Sequence, residues 1–200
     1  MEILETKLMF NGVLKQRGTT SRIIIHHSAT NGDVAASTVH QWHLDKGWSG
    51  IGYHYLIRTS GVIERGRPEN TIGAHAGSAG NSDSIGICLA GNFTQNVPNP
   101  KQIDALIALI NDIMGRCGKL QIIGHKDVMA TACPGEKFPL SQVIQRVTEP
   151  GNSSEPSWKL DIVKEARRAG LITSDHNPED PAEKWFVLQV ALNLLKTLKA

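Results

Sequence analysis

Three consecutive β-branched residues, Ile23-Ile24-Ile25, run directly into two histidines, His26-His27. A short run of this kind reads as a buried strand, so the chain must supply other elements to cover it. Its polar end marks a strand-to-loop junction, where side chains are carried on a rigid scaffold and still reach solvent. Further strands are predicted at Tyr53–Arg58, Ser84–Ala90 and Lys119–Ile123. Thr59-Ser60-Gly61 is turn chemistry, and Val62-Ile63-Glu64 is the return of a hairpin. One helix is predicted from a cap at Ser37 or Thr38 to about Lys46, with Gly47 just past its end. The best-defined helix runs from Pro100 to about Cys117. Asn99 caps it, Gln102 completes a capping box, and Gly118 stops it. Ile103, Leu106, Ile107, Ile110, Ile113 and Met114 give it one apolar face. Strands and helices in this order predict an α/β fold, a mixed central β-sheet flanked by helices.

Glu149 to Pro156 gathers Pro, Gly and Ser with no apolar residue, which is linker chemistry. The predicted organisation is therefore a domain over 1–148, a linker over 149–156, and a small helical module over 157–200. Two helix signals mark that module. Trp158, Ile162, Ala166 and Ala169 share a face, and Asp180-Pro181-Ala182-Glu183 opens a second apolar helix. Two helices of this size bury little by themselves.

The balance of 21 Lys+Arg against 19 Asp+Glu argues against a nucleic-acid binder. No apolar run approaches the ~20 residues of a membrane span. Met1-Glu2-Ile3-Leu4-Glu5 lacks the basic-then-apolar layout of a secretory signal, so synthesis in the cytoplasm is expected. Three cysteines are too few for a disulfide scaffold. Phosphate loops, G-x-S-x-G elbows, H-E-x-x-H helices and C-x-x-C pairs are absent, so a site must be assembled from separated segments.

His26 and His27 form one such segment. The other is Gly124 to Gly135, with His125 after a predicted strand and Cys133 eight residues on, followed by Pro134-Gly135. A thiolate and two imidazoles make a sound zinc ligand set, and three protein ligands leave a fourth position for water. Singly, these residues carry little. A histidine at a strand end is more often a hydrogen-bonded framework residue, and a buried cysteine usually packs as a small hydrophobe. Cys88 and Cys117 read as core cysteines, and His40 and His43 as ordinary helix contacts.

The combination says more. Ile25-His26-His27-Ser28-Ala29-Thr30, Gly52-Tyr53-His54-Tyr55, Gly73-Ala74-His75-Ala76, Asn81 to Ile87, and His125-Lys126-Asp127 with Ala132-Cys133-Pro134 occur in this order. The chain thereby resembles the zinc-dependent type 2 N-acetylmuramoyl-L-alanine amidases, the superfamily shared with peptidoglycan recognition proteins and many phage endolysins. The resemblance spans roughly residues 20 to 140. It implies His26, His125 and Cys133 as Zn2+ ligands, with His26 preferred to His27 because it stands directly before an x-Ser-Ala-Thr-like stretch. It implies Tyr53 as the active-site tyrosine. Thr131 falls where some members carry an essential lysine; without charge it shares transition-state stabilisation differently.

The resemblance further implies an endolysin-type hydrolase that cleaves the amide between N-acetylmuramic acid and L-alanine by zinc-activated water. Tyr53 would stabilise the oxyanion, Thr131 would orient the water or the carbonyl, and a water relay near His54 or Tyr53 would protonate the leaving amine. His54, His75 and Trp48 are expected at the substrate, Trp42 in the core, and Arg65 and Arg67 near acidic stem-peptide groups or in solvent. Bacterial peptidoglycan is the expected partner. A separate membrane-permeabilising protein would release the enzyme from the bacterial host's cytoplasm to the wall. Two alternatives stand beside this. A recognition module would hold muropeptide without cutting it, but Cys133 and Tyr53 favour catalysis. A glycosidase needs two placed carboxylates, and no acidic pair presents itself. The C-terminal module is loosely similar to wall-anchoring segments, against the plainer reading of a packed helical extension.

Overall fold

The computed structural model describes residues 1–148 together with Arg167 and Arg168. The linker expected at 149–156 and, apart from those two arginines, the module expected at 157–200 lie outside the described residues.

Six strands form one mixed sheet. They are β1 (Ile3–Leu4), β2 (Arg22–His27), β3 (Tyr55–Ile57), β4 (Ile63–Arg65), β5 (Ser84–Leu89) and β6 (Gln121–Gly124). Their spatial order is β1-β4-β3-β5-β2-β6. Only the β3–β4 hairpin is antiparallel; the other pairs are parallel. β2 thus lies between β5 and β6 and is buried on both faces, as the triple isoleucine requires.

Alternation along the strands sorts side chains to the two faces. Ile23 and Ile25 on β2, Ile85, Ile87 and Leu89 on β5, and Tyr55 and Ile57 on β3 pack in one cluster. The same cluster takes in residues of helix α3 (Pro100–Cys117) and helix α4 (Leu140–Thr148). On the opposite face Leu56 packs with Val39 of helix α1 (Ala36–Asp45). Complete burial of an Ile or Leu side chain stabilises by about 1.5–3 kcal/mol, so the α3 face holds most of the apolar stabilisation.

Helix α3 has the predicted bounds. The Asn99 side chain accepts from Lys101 N, and Asn99 N donates to Gln102 Oε1. Gly118 ends the helix at φ 80°, a conformation that disfavours a side chain.

Other elements differ from expectation. Helix α1 starts at Ala36, so Ser37 and Thr38 lie inside its first turn and neither caps it. Its first free N–H is met instead by the carboxylate of Glu64, 28 residues away on β4. Helix α2 (Gly77–Asn81) lies inside what reads as a Gly/Ser loop, and α4 and β1 were not anticipated. Cys117 is exposed and so is not a core residue. Among the described residues, no helix is long and apolar enough to cross a membrane.

Candidate metal centre and active site

The site lies beyond the carboxyl ends of β2 and β6, where open α/β sheets place ligands. Parallel pairing sets Ile25 opposite Gly124, so the next residues, His26 and His125, emerge side by side. Their ring centroids are 4.4 Å apart. A short 3-10 turn, His125–Asp127, follows β6. The Asp127 carboxylate accepts from Gly124 N at 2.7 Å and fixes that turn. Lys126 N donates to Cys133 O at 2.8 Å, drawing the Cys133 segment back over His125.

Nδ1 of His26 lies 3.8 Å from Sγ of Cys133. One ligand atom from each of His26, His125 and Cys133 falls within 4.8 Å of the others. Zinc bonds of about 2.0–2.3 Å in a tetrahedron hold neighbouring donors about 3.6 Å apart, so the three residues fit that ion. The protonation states suit it too. Burial, reinforced by the neighbouring histidines, holds His26 well below the usual imidazole range, and burial also lowers His125. Both therefore present neutral imidazoles, the form a metal takes up. Burial pushes the Cys133 thiol up to about 11, against a backbone hydrogen bond from His27 N to Sγ. A metal arriving there must displace a proton.

His27 points to the other face. Its Nδ1 accepts from Phe93 N at 3.0 Å, and its ring packs on Phe93. Strand parity thus separates the two adjacent histidines, one to the site and one to the framework.

Tyr53 stands beside the centre, its ring 5.1 Å from that of His26. Its phenol lies against the Cys88 thiol, and burial holds its pKa well above the ordinary value. It is a proton-bearing donor at any working pH. Cys88 is therefore more than core filling. Thr131 is exposed, and its Oγ1 accepts from Cys133 N at 3.2 Å, which leaves the hydroxyl proton free to donate.

The loop carrying Tyr53 is held by helix α1. His40 Nδ1 accepts from Ile51 N at 3.1 Å, and His43 Nδ1 accepts from Gly52 N at 3.0 Å. Nothing in either histidine taken alone shows this role. Their spacing of three residues, which aims both at one face, is the signal available in the sequence.

Three expected substrate residues sit elsewhere. His54 is fully buried; its Nδ1 accepts from Gly86 N and its Nε2 donates to Thr71 O. Both nitrogens are occupied, so His54 is a framework residue, and a proton relay through it is ruled out. His75 is also buried, behind His26, with its Nδ1 2.9 Å from His26 Nε2. A groove contact by its ring is therefore corrected to a contact with the ligand histidine. Trp48 is exposed and stacks on His43. The tryptophan lining the small cleft beside Tyr53, about 130 Å³ with Ser28, Val39, His43 and Lys46, is Trp42. At 41% exposure Trp42 is no core residue.

Arg67 is buried and donates to Ile51 O and Ile72 O. Arg65 pairs with Glu5 and Glu69 and covers the Tyr55 ring. These contacts remove both arginines from the site. A larger hollow of about 760 Å³ lies around Arg65, Glu69 and Arg116 and includes none of the metal-site residues.

A mixed sheet that brings two neutral imidazoles and a thiol together at its carboxyl edge, with a phenol alongside, defines the class: an α/β protein with a metal-ligand set at its sheet edge. The particular family follows from comparison. The model for "N-acetylmuramoyl-L-alanine amidase" matches residues 16–136, and the chain belongs to that family. The Endolysin of Enterobacteria phage K11 is 37% identical over 131 residues, covering 60% of this chain and 83% of that protein. Peptidoglycan-recognition protein SC1a of Drosophila melanogaster is 38% identical over 127 residues, covering 58% of this chain and 68% of that one. Among solved structures, N-acetylmuramoyl-L-alanine amidase LysC from Clostridium intestinale superposes with a TM-score of 0.71 at 35% identity. It covers 74% of this chain and 98% of its own.

Proposed function

We propose that this protein is an endolysin-type peptidoglycan hydrolase. It cuts the amide between N-acetylmuramic acid and L-alanine, with Zn2+ held by His26, His125 and Cys133. The amidase family match supports the reaction. The convergence of those three donor atoms is the observation that carries the metal assignment. When bound, zinc acidifies its water and polarises the scissile carbonyl.

The chain's own groups supply the rest. Tyr53 keeps its proton because it is desolvated, so its O–H is preset to donate to the oxygen that becomes negative at the tetrahedral stage. Cys88 and the ring of His26 hold that phenol in place. Thr131 offers a neutral donor fixed by its bond from Cys133 N. That position carries no full charge here, so the metal and Tyr53 bear more of the stabilisation. Trp42 gives the cleft an exposed aromatic face, on which a sugar ring stacks.

The protein is made in the cytoplasm of a bacterial host and reaches the wall after a separate membrane-permeabilising protein opens the way. Residues 157–200 serve wall binding. Product analysis on purified peptidoglycan tests the reaction. New L-alanine amino termini are expected, and loss of their release with a chelator. Release of reducing sugar ends, or tight wall binding with no product at all, would overturn it.

A further inference from the structure

His75 has a role beyond the reaction groups. Its ring is seated in a slot built for it. A Cβ at Gly86 would lie 2.5 Å from His75 Cδ2, and one at Gly73 would lie 2.4 Å from the same atom. Only glycine at both positions leaves room for the imidazole. The backbone beneath is clamped as well, since Asn81 Oδ1 accepts from both His75 N and Ala76 N at 2.8 Å.

The slot turns His75 Nδ1 towards His26 Nε2, 2.9 Å away. His26 Nδ1 faces Cys133, so it is the nitrogen whose lone pair is available to a metal. Its Nε2 then carries the proton and donates to His75 Nδ1. His75 in turn holds its proton on Nε2, which faces Ser84 Oγ at 3.4 Å. The Ser84 hydroxyl spends its own proton on Gly80 O. Every donor in this chain has an acceptor, and only one tautomer of each ring satisfies it.

We propose that His75 is a positioning residue for the metal centre. Its buried Nδ1 fixes the tautomer and ring angle of His26, and Ser84 fixes His75 from behind. Acceptors behind a ligating histidine raise its basicity and restrict its ring, and their loss commonly weakens metal binding by 10- to 100-fold. A histidine is an unusual acceptor for this purpose. It works here because His75 turns its Nδ1 to His26 and its Nε2 to Ser84 Oγ. The proposal rests on the reading of His26, His125 and Cys133 as zinc ligands.

The test uses the full chain and zinc alone. Affinity is measured by competition with a chromogenic chelator for wild type, Cys133→Ala, His75→Ala, His75→Asn and Gly86→Ala. Protection of the His26 Nε2 proton is followed by nitrogen-15 NMR in the metal-free protein, and urea unfolding checks each fold. His75→Ala should bind zinc roughly 10- to 100-fold more weakly and lose the protected proton. His75→Asn places an amide oxygen near the lost Nδ1 and should recover most of both. Gly86→Ala keeps His75 but displaces its ring, so it should resemble His75→Ala. If His75→Ala does not fold, His75→Asn and Gly86→Ala decide: wild-type affinity in Gly86→Ala overturns the role. Wild-type affinity and an intact proton in a folded His75→Ala also overturn it while leaving the ligand set standing. Equal zinc binding by wild type and Cys133→Ala instead removes the ligand set, and the positioning role with it.

Discussion

The buried carboxylate of Glu64, on β4, accepts the backbone N–H of Ala36 at the head of helix α1. Arg58 donates to the other oxygen of the same carboxylate at 2.9 Å and also pairs with Asp33. A hairpin side chain therefore caps the helix whose His40 and His43 hold the Tyr53 loop. Glu64→Ala should cost about 1–2 kcal/mol of stability, the loss of one helix cap. It should also lower turnover while leaving zinc stoichiometry intact. Urea unfolding and metal analysis check both; unchanged turnover would break the link from cap to loop.

Alanine at His26 or Cys133 should abolish both bound zinc and lysis of cell walls. Removing one of three protein ligands leaves too few to retain a catalytic metal. Elemental analysis and a turbidity assay measure the two effects. A variant that is metal-free yet fully active would reject the assignment.

Tyr53→Phe removes only a hydroxyl. Loss of one preset donor to a developing oxyanion typically costs 10²–10³ in turnover, roughly 3–4 kcal/mol. Zinc should stay bound. Comparison of turnover at equal metal loading decides, and wild-type rates would exclude a catalytic phenol.

Acid should destabilise the protein in a defined window. Burial lowers His43 to about 4, with the charges of Lys46 and Arg67 assisting, and lowers His54 to about 3. The unfolded chain takes up these protons near pH 6.5, before the folded chain can. The stability contributed by each neutral ring is thus complete above about pH 6.5. It falls by about 1.4 kcal/mol per pH unit as pH drops towards the folded value. Chemical unfolding of the metal-free protein between pH 7 and 4.5 should show this slope, and a flat profile would contradict it.

Cleavage after Thr148 tests whether residues 157–200 bind the wall. The shortened protein should keep its zinc and its product but sediment less with purified walls. Equal sedimentation would leave the C-terminal residues without a wall-binding role.

The sequence disclosed what local chemistry encodes. Helix α3 was legible at both ends because Asn99, Pro100, Gln102 and Gly118 mark them within one turn. The strand carrying His26 and the strand leading into His125 were legible from β-branched runs. Long-range pairing was not. Glu64 caps a helix 28 residues before it, so the α1 start was misread at Ser37 and Thr38. Likewise His54 stands at the start of a predicted strand and His75 in a glycine-rich stretch that looks like an open loop. Their burial follows from Gly86 and Gly73, whose missing side chains make room for rings, and nothing local distinguishes such a slot from a flexible groove. Trp42 and Trp48 exchanged expected places for the same reason: which one meets the Tyr53 cleft is decided by how α1 lies on the sheet.

Two neighbouring histidines on β2 face opposite ways, and that has a bearing on how the enzyme tolerates change. Inserting a single residue in Arg22–His27 would turn His26 to the framework and leave Cys133 without its companion, while deleting one would turn His27 to the site and leave Phe93 without its acceptor. Composition and hydropathy would look untouched, yet the catalyst would be gone. Engineers who graft or shorten this strand should move in steps of two.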